Sequence, residues 1–238
     1  MTRPEIKATL YASSVQPLAD RELYRMAYCA ASPERRKKAD AFRMEKDRRL
    51  CLGAEILLRY GLREANAEYD YSRIKKNDRG KPFIENMPLH FSISHSGDWV
   101  VCAVSSAEVG CDIEEIQSSK MQLARRFFCP EEYAHLLAQK SEAERRTLFY
   151  RYWTLKESFI KATGLGMALP LNKFCIKPGE PVCVGQSLDK RSYSFAEFED
   201  IPGYRCAVCV IGENAQALLN VPELSSCLAA ETDRLLPR

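Results

Sequence analysis

No run of about 18 or more apolar residues occurs in the chain, so its length pattern excludes a membrane-spanning helix. The opening residues Met1-Thr2-Arg3-Pro4-Glu5 also lack the basic and then apolar layout of an export signal, and the cytoplasm is the expected compartment. Charge of one sign is scarce in sum: the formal net charge is +3 over 238 residues, which makes no strong electrostatic statement for the whole molecule. Polar bias and low-complexity tracts are missing, and 46% hydrophobic with 28% charged residues describe an ordinary folded globule of one larger domain or two small lobes. Zinc-type spacing is missing too. Cys206-Ala207-Val208-Cys209 is the one suggestive pair, without a second pair or histidines at matching distance, and Tyr204 to Ile211 also reads as a buried strand. The ten cysteines are therefore expected to be reduced and to serve as small apolar residues.

What the sum hides, the distribution shows. Between Ser32 and Leu50 stand eight basic residues (Arg35, Arg36, Lys37, Lys38, Arg43, Lys46, Arg48, Arg49) against four acidic ones, a local excess larger than the net charge of the chain. Such a run reads either as a solvated helix face or as a site for a polyanion.

Along the chain, Ser32-Pro33-Glu34 predicts a helix start, with serine as cap and proline at the first helical position. A second helix is predicted from Asp47 to Tyr60, ended by Gly61. Phe91 and Ile93 alternate with Ser92 and Ser94, and His95-Ser96-Gly97-Asp98 turns the chain into Trp99 to Val104, a hairpin. Val109 to Glu114 alternates strictly, which puts Asp112 and Glu114 on one side of a strand. Cys129-Pro130-Glu131-Glu132 starts another helix, and a long helical pattern from Arg145 to Thr163 stops at Gly164. Cys206-Ala207-Val208 echoes Cys102-Ala103-Val104, in agreement with two related α+β halves. The expected division is 1–107, 108–215 and a C-terminal extension 216–238, to which only peripheral packing is assigned.

On the helix around Trp153, 100° per residue places Trp153, Lys156, Glu157, Ile160 and Lys161 within an arc of roughly 140°. One side thus offers a carboxylate between two ammonium groups, either bridged locally or bound to something else. Asp112 and Glu114 are a hard oxygen pair of the kind magnesium prefers, with Glu157 as a third; equally, carboxylates at i and i+2 are common on exposed strand faces. Ser94, His95, Lys81, Lys156 and Lys161 supply the hydroxyl, imidazole and ammonium groups that a diphosphate beside such an ion needs.

Gly80-Lys81-Pro82, Phe91-Ser92-Ile93-Ser94-His95-Ser96, Gly110-Cys111-Asp112-Ile113-Glu114 and Trp153-Thr154-Leu155-Lys156-Glu157-Ser158 with Lys161 resemble, in order and spacing, the motifs of 4′-phosphopantetheinyl transferases of the surfactin-synthetase-activating type. The resemblance runs from about Ser32 to Gly212 and includes Arg126-Phe127-Phe128 and Glu132-Tyr133. It implies a monomer of α+β class, with two similar α/β halves in pseudo-twofold symmetry and coenzyme A in the cleft between them. It further implies magnesium on Asp112, Glu114 and Glu157, and the diphosphate on Ser94, His95, Lys156 and Lys161. Lys81 matches a coenzyme contact, and the ribose 3′-phosphate falls to Arg35 and Lys38 with Arg48 or Arg49 nearby. Glu157, Lys161 and His95 are the implied catalytic residues, and an apo acyl or peptidyl carrier protein the implied partner. Ser92, where asparagine is frequent, and Cys111, where valine or isoleucine is usual, depart from the pattern without removing a charge.

Two other classes fit parts of the same residues. A nucleic-acid binding module accounts for the basic run, but aromatics do not interleave with it and no named nucleic-acid motif occurs. A magnesium-dependent phosphoesterase accounts for the three carboxylates, with water as nucleophile.

Overall fold

Ser32 Oγ accepts from the Arg35 amide at 3.3 Å and Pro33 takes the first helical position, so the helix start read at Ser32-Pro33-Glu34 forms as such. In the computed structural model, which describes residues 7–118 and 120–232, the chain then repeats one plan twice. The first half runs β1 (Lys7–Ser14), α1 (Arg21–Ala30), α2 (Pro33–Asp40), α3 (Glu45–Glu64), the short pair β2 (Ile74–Lys76) and β3 (Pro82–Ile84), and the hairpin β4 (His90–Ser96) and β5 (Trp99–Ser105). The second runs β6 (Val109–Glu115), α4 (Met121–Phe127), α5 (Pro130–Leu137), α6 (Glu142–Thr163), the short pair β7 (Cys175–Lys177) and β8 (Cys183–Gly185), and the hairpin β9 (Tyr193–Phe198) and β10 (Tyr204–Ile211). Strand orders match as well: β1-β5-β4 in one sheet corresponds to β6-β10-β9 in the other, all antiparallel. The Cys-Ala-Val echo falls on corresponding strands, β5 and β10. This is an α+β fold of two similar halves.

Each half buries one sheet face under its own helices. In the first, Leu52, Leu57, Leu58 and Leu62 of α3 pack on Val100, Cys102 and Val104; in the second, Tyr152, Leu155 and Phe159 of α6 pack with Ala207 and Cys209. The other faces meet each other, Leu10, Val101 and Ala103 against Cys111, Ile113 and Val208, so an apolar core joins the halves. Cys206 and Cys209 lie in different cores, as residues three apart on a strand must, and share no site.

Gly110 sets the distance between α6 and β6. A Cβ there would stand 2.0 Å from the Ser158 carbonyl oxygen and 2.3 Å from the Ala162 nitrogen, both main-chain atoms that cannot swing aside. Gly110→Ala is expected to cost about 3 kcal/mol by urea unfolding, at the upper end of ordinary overpacking. Gly164, with φ of 69°, ends α6 in the left-handed conformation, as expected.

Three expectations need correction. Gly61 does not end its helix: α3 continues to Glu64, and Gly61 is small because the Tyr11 ring packs within 2.9 Å of where its Cβ would be. The C-terminal stretch is not peripheral. Strand β11 (Gln216–Asn220) adds to β1 in parallel, and α7 (Leu224–Thr232) buries Leu224, Cys227 and Leu228 in the core of the first half. Finally, Cys51, Cys102, Cys111, Cys206, Cys209 and Cys227 are buried and unpaired as expected, but Cys129 and Cys175 are joined in a disulfide between the start of α5 and β7. The opening Met1 to Glu5 and Pro237 lie outside the described residues. Among those described, no helix is long and apolar enough to cross a membrane.

Candidate active site

Where the halves meet, β4 runs alongside β6 without a backbone ladder, and a comb of serines joins them. Strand periodicity turns Ser92, Ser94 and Ser96 to one side. Ser92 Oγ accepts from the Cys111 amide at 3.1 Å. Ser94 Oγ donates to Asp112 Oδ1 at 2.7 Å, and Ser96 Oγ donates to Glu114 Oε2 at 3.0 Å while accepting from the Glu115 amide at 3.1 Å. The comb therefore fixes both strand carboxylates as well as the strand.

Helix α6 supplies the third carboxylate and one ammonium group. Lys161 Nζ donates to Asp112 Oδ1 at 2.7 Å and to Ser94 Oγ at 2.9 Å. Burial works against its charge, but Asp112, Cys111 and Glu157 together outweigh that and hold the ammonium above its ordinary pKa. Glu157 is held above the ordinary glutamate range by burial and by Asp112, with Lys161 opposing; Glu114 is raised by burial and by Asp112. Three carboxylates thus crowd one ammonium. Asp112 is buried and its Oδ2 has no hydrogen-bond partner, a costly arrangement without a cation or donor on that oxygen. This orphan, the all-oxygen donor set and the raised carboxyls fit a hard divalent cation such as magnesium. The fit is chemical: ligand oxygens of Asp112, Glu114 and Glu157 do not all lie within 4.8 Å of one another, so sharing one ion requires a carboxylate to rotate inward.

His95, between Ser94 and Ser96, leaves β4 on the side opposite the serine comb and is exposed, with Lys161 and Lys38 close enough to act on its charge. Burial of the ring's surroundings and those two charges lower its pKa, which keeps the imidazole neutral near pH 7 in the free protein. Beyond it lies a cleft of about 420 Å³ lined by Arg35, Lys38, Tyr69, Tyr71 and Lys76. Buried Glu55 orients its arginine: the carboxylate accepts from the Ser32 amide and hydroxyl at 2.8 and 2.7 Å, Arg35 Nε at 3.2 Å and Arg59 Nη2 at 2.7 Å. On the far side of Glu157 opens a wider, more apolar groove of about 780 Å³, with Arg126, Phe127, Ile160, Leu169 and Leu171 in its walls.

A sequence profile described as the 4′-phosphopantetheinyl transferase superfamily matches residues 108–209, and one described as 4′-phosphopantetheinyl transferase, N-terminal, matches residues 16–107. The chain is 38% identical over 182 residues to the 4′-phosphopantetheinyl transferase Sfp of Bacillus subtilis (strain 168), across 75% of this chain and 81% of that one. It is 33% identical over 219 residues to the 4′-phosphopantetheinyl transferase gsp of Aneurinibacillus migulanus, across 90% and 92%. A third relative, the 4′-phosphopantetheinyl transferase psf-1 of Bacillus pumilus, is 36% identical over 210 residues, across 84% and 88%. The chain belongs to the 4′-phosphopantetheinyl transferase family.

Not every residue that the family resemblance assigned to the transferase site faces it. Asp112, Glu114, Glu157, Lys161, Ser94 and His95 come together. Lys156 does not: it is fully buried on the opposite flank of α6, its Nζ 2.7 Å from both oxygens of Glu132 and 2.9 Å from the Phe174 carbonyl oxygen, and it cannot reach a diphosphate. Arg48 and Arg49 are also apart from Arg35 and Lys38. They line a separate cavity of about 240 Å³ with Arg21 and Tyr24, and Arg48 Nε donates to the Phe42 carbonyl at 2.8 Å. The cause is helical: Asp47, on the face toward His95, is about 100–200° from its two arginine neighbours. Lys81 spends two of its three N–H groups on the carbonyls of Val109 and Ala162, both at 3.1 Å, and so acts first as a strut between the halves, at the edge of the cleft.

Ser96, Glu55, Tyr69 and Lys76 were missed in the sequence. A signal existed for Ser96, since serines at every second position of β4 mirror the acids at every second position of β6. Glu55, inside the apolar face of α3, was detectable as a buried charge that needed a basic partner.

Proposed function

We infer that this family member transfers the 4′-phosphopantetheine group of coenzyme A to a serine hydroxyl of an apo acyl or peptidyl carrier protein, releasing adenosine 3′,5′-bisphosphate. The observation that carries this reading is the serine-held Asp112 with Lys161 and Glu157 around it, set between a basic cleft and an apolar groove. One end suits the anionic nucleotide and the other a carrier surface with the pantetheine arm. No observation favours the phosphoesterase or the nucleic-acid reading.

In the reaction, the serine oxygen forms a bond to the β-phosphorus as the bond to the bridging oxygen of the leaving nucleotide breaks. Glu157 takes the serine proton, directly or through a water; burial and Asp112 raise its basicity in the metal-free protein, whereas a bound magnesium would lower it, so its role as an ion ligand comes first. Lys161, pinned by Asp112 and Ser94, keeps its charge and offsets the negative charge that grows on the leaving phosphate. Neutral His95 donates a hydrogen bond to a phosphate oxygen. Asp112, Glu114 and Glu157 are the residues that would hold magnesium, which when bound supplies positive charge to the diphosphate oxygens. Arg35 and Lys38 take the ribose 3′-phosphate, with Lys76 in the same cleft.

Two outcomes are expected. Arg35→Ala with Lys38→Ala raises KM for coenzyme A about tenfold or more, and that for the 3′-dephosphorylated analogue much less, by steady-state kinetics. In the magnesium-free protein the Glu157 carboxyl is expected to titrate above the ordinary glutamate range, because burial and Asp112 raise its pKa, and that pKa to fall when magnesium is added, as read by infrared or NMR titration against Glu157→Gln. The function itself is tested by incubating the protein with coenzyme A, magnesium and a panel of apo carriers. A carrier mass increase of one phosphopantetheine group is the expected result; cleavage of coenzyme A with no such gain contradicts it.

A further inference from the structure

We propose that Cys129 and Cys175 form a reversible thiol–disulfide modification site, which takes a low-molecular-weight disulfide as oxidant and whose closure locks the helix carrying Glu157. Its effect on turnover rests on the function proposed above; the cross-link itself does not. Cys129 is the buried N-cap of α5, and Cys175 opens β7 half-buried, where solvent reaches it. Their Cα atoms are 5.7 Å apart, a span that a disulfide bridges without moving backbone.

What makes the pair more than a staple is the polar hub between its ends. The Cys129 amide donates to Glu132 Oε2 at 3.0 Å. On either side of Cys175, the Phe174 carbonyl accepts from Lys156 Nζ and the Ile176 amide donates to Glu132 Oε1 at 2.6 Å. The two sulfurs therefore clamp the two segments that hold the buried Lys156–Glu132 ion pair, and Lys156 is the residue before Glu157 on α6. With the clamp open, β7 keeps its Glu132 and Lys156 contacts and its place in the apolar core beside Leu136 but loses its covalent tie to α5, and α6 loses part of its anchorage.

The chemistry balances with one equivalent of oxidant. Glu131 Oε2, 3.3 Å from Cys175 Sγ, is placed to take the thiol proton. The Cys175 thiolate attacks one sulfur of the small disulfide and releases one small thiolate. The Cys129 thiolate then attacks the Cys175 sulfur and releases the second. Two protein thiols give up two electrons, and one small disulfide becomes two small thiols.

The test equilibrates the full chain in buffers of varied reduced to oxidised glutathione, quenches with acid, alkylates with iodoacetamide in denaturant so that buried Cys129 is reached, and reads alkylation by peptide mass alongside melting and turnover. Cys129 and Cys175 are expected to become alkylated together at one midpoint, while exposed Cys29 and Cys183 react independently of it. Reduction is expected to lower Tm by about 5 °C or more. It should also cut kcat on an apo carrier about twofold or more, with KM for coenzyme A little changed. Cys175→Ser should melt with the reduced wild type and ignore the buffer. Independent alkylation of the two cysteines, or equal melting of the two forms, would overturn the proposal. So would a reduced protein that keeps one zinc ion per chain and protects both thiols, since that makes Cys129, Glu131 and Cys175 a metal site. Altered melting with unchanged kcat overturns the regulatory half. Alkylation and melting are independent of carrier modification, so their failure is separable from failure of the transfer function.

Discussion

Glu157→Gln is expected to lower carrier modification about a thousandfold or more, with Tm at or above that of the wild type. Glutamine keeps the shape of the side chain but removes the proton acceptor and one carboxylate of the three, so both roles of Glu157 are lost together. The stability sign follows from its raised pKa. A carboxyl whose pKa is higher folded than unfolded carries no penalty when protonated in both states, and a growing one as pH rises from its unfolded value through its folded value. Neutral glutamine removes that penalty near pH 7. Single-turnover transfer and thermal melts on the same samples check both halves, and near-normal transfer by the variant would exclude both assigned roles.

Lys156→Met is expected to have the largest effect on stability, about 3–5 kcal/mol by urea unfolding. The substitution removes the ammonium between Glu132 and the Phe174 carbonyl and leaves a carboxylate buried without its counter-charge. Two amide donors, Cys129 and Ile176, remain on Glu132 and soften the loss without neutralising it. Pairing Lys156→Met with Glu132→Gln should recover part of the cost, because the charge then disappears with its partner. A double variant no more stable than the single one would show that the pair acts through packing alone.

The strand carboxylates were legible because a period of two leaves no choice: once Val109, Cys111 and Ile113 are inward, Asp112 and Glu114 share the other side. Glu157 and Lys161 were legible for the same reason on a helix, being four residues apart. Lys156 was misplaced because an arc of roughly 140° covers a helix face and its edge, and nothing local tells which edge is buried. Its partner is 24 residues away, in a helix start whose acidic residues already had a local explanation in capping and dipole. The basic run misled in a similar way. Summing charge from Arg35 to Arg49 says nothing about which side of α2 or α3 each residue takes, and the chain divides them between two cavities. Pairing of two among ten cysteines depends on long-range packing that spacing does not encode.

Binding of one divalent ion in the presence of coenzyme A tests the central claim most directly, with manganese as a spectroscopic substitute for magnesium and the wild type compared with Asp112→Asn and Glu157→Gln. One ion per chain in the wild type, with affinity reduced about tenfold or more in each variant, is the predicted result. Equal affinity in all three proteins would contradict an ion shared by Asp112 and Glu157.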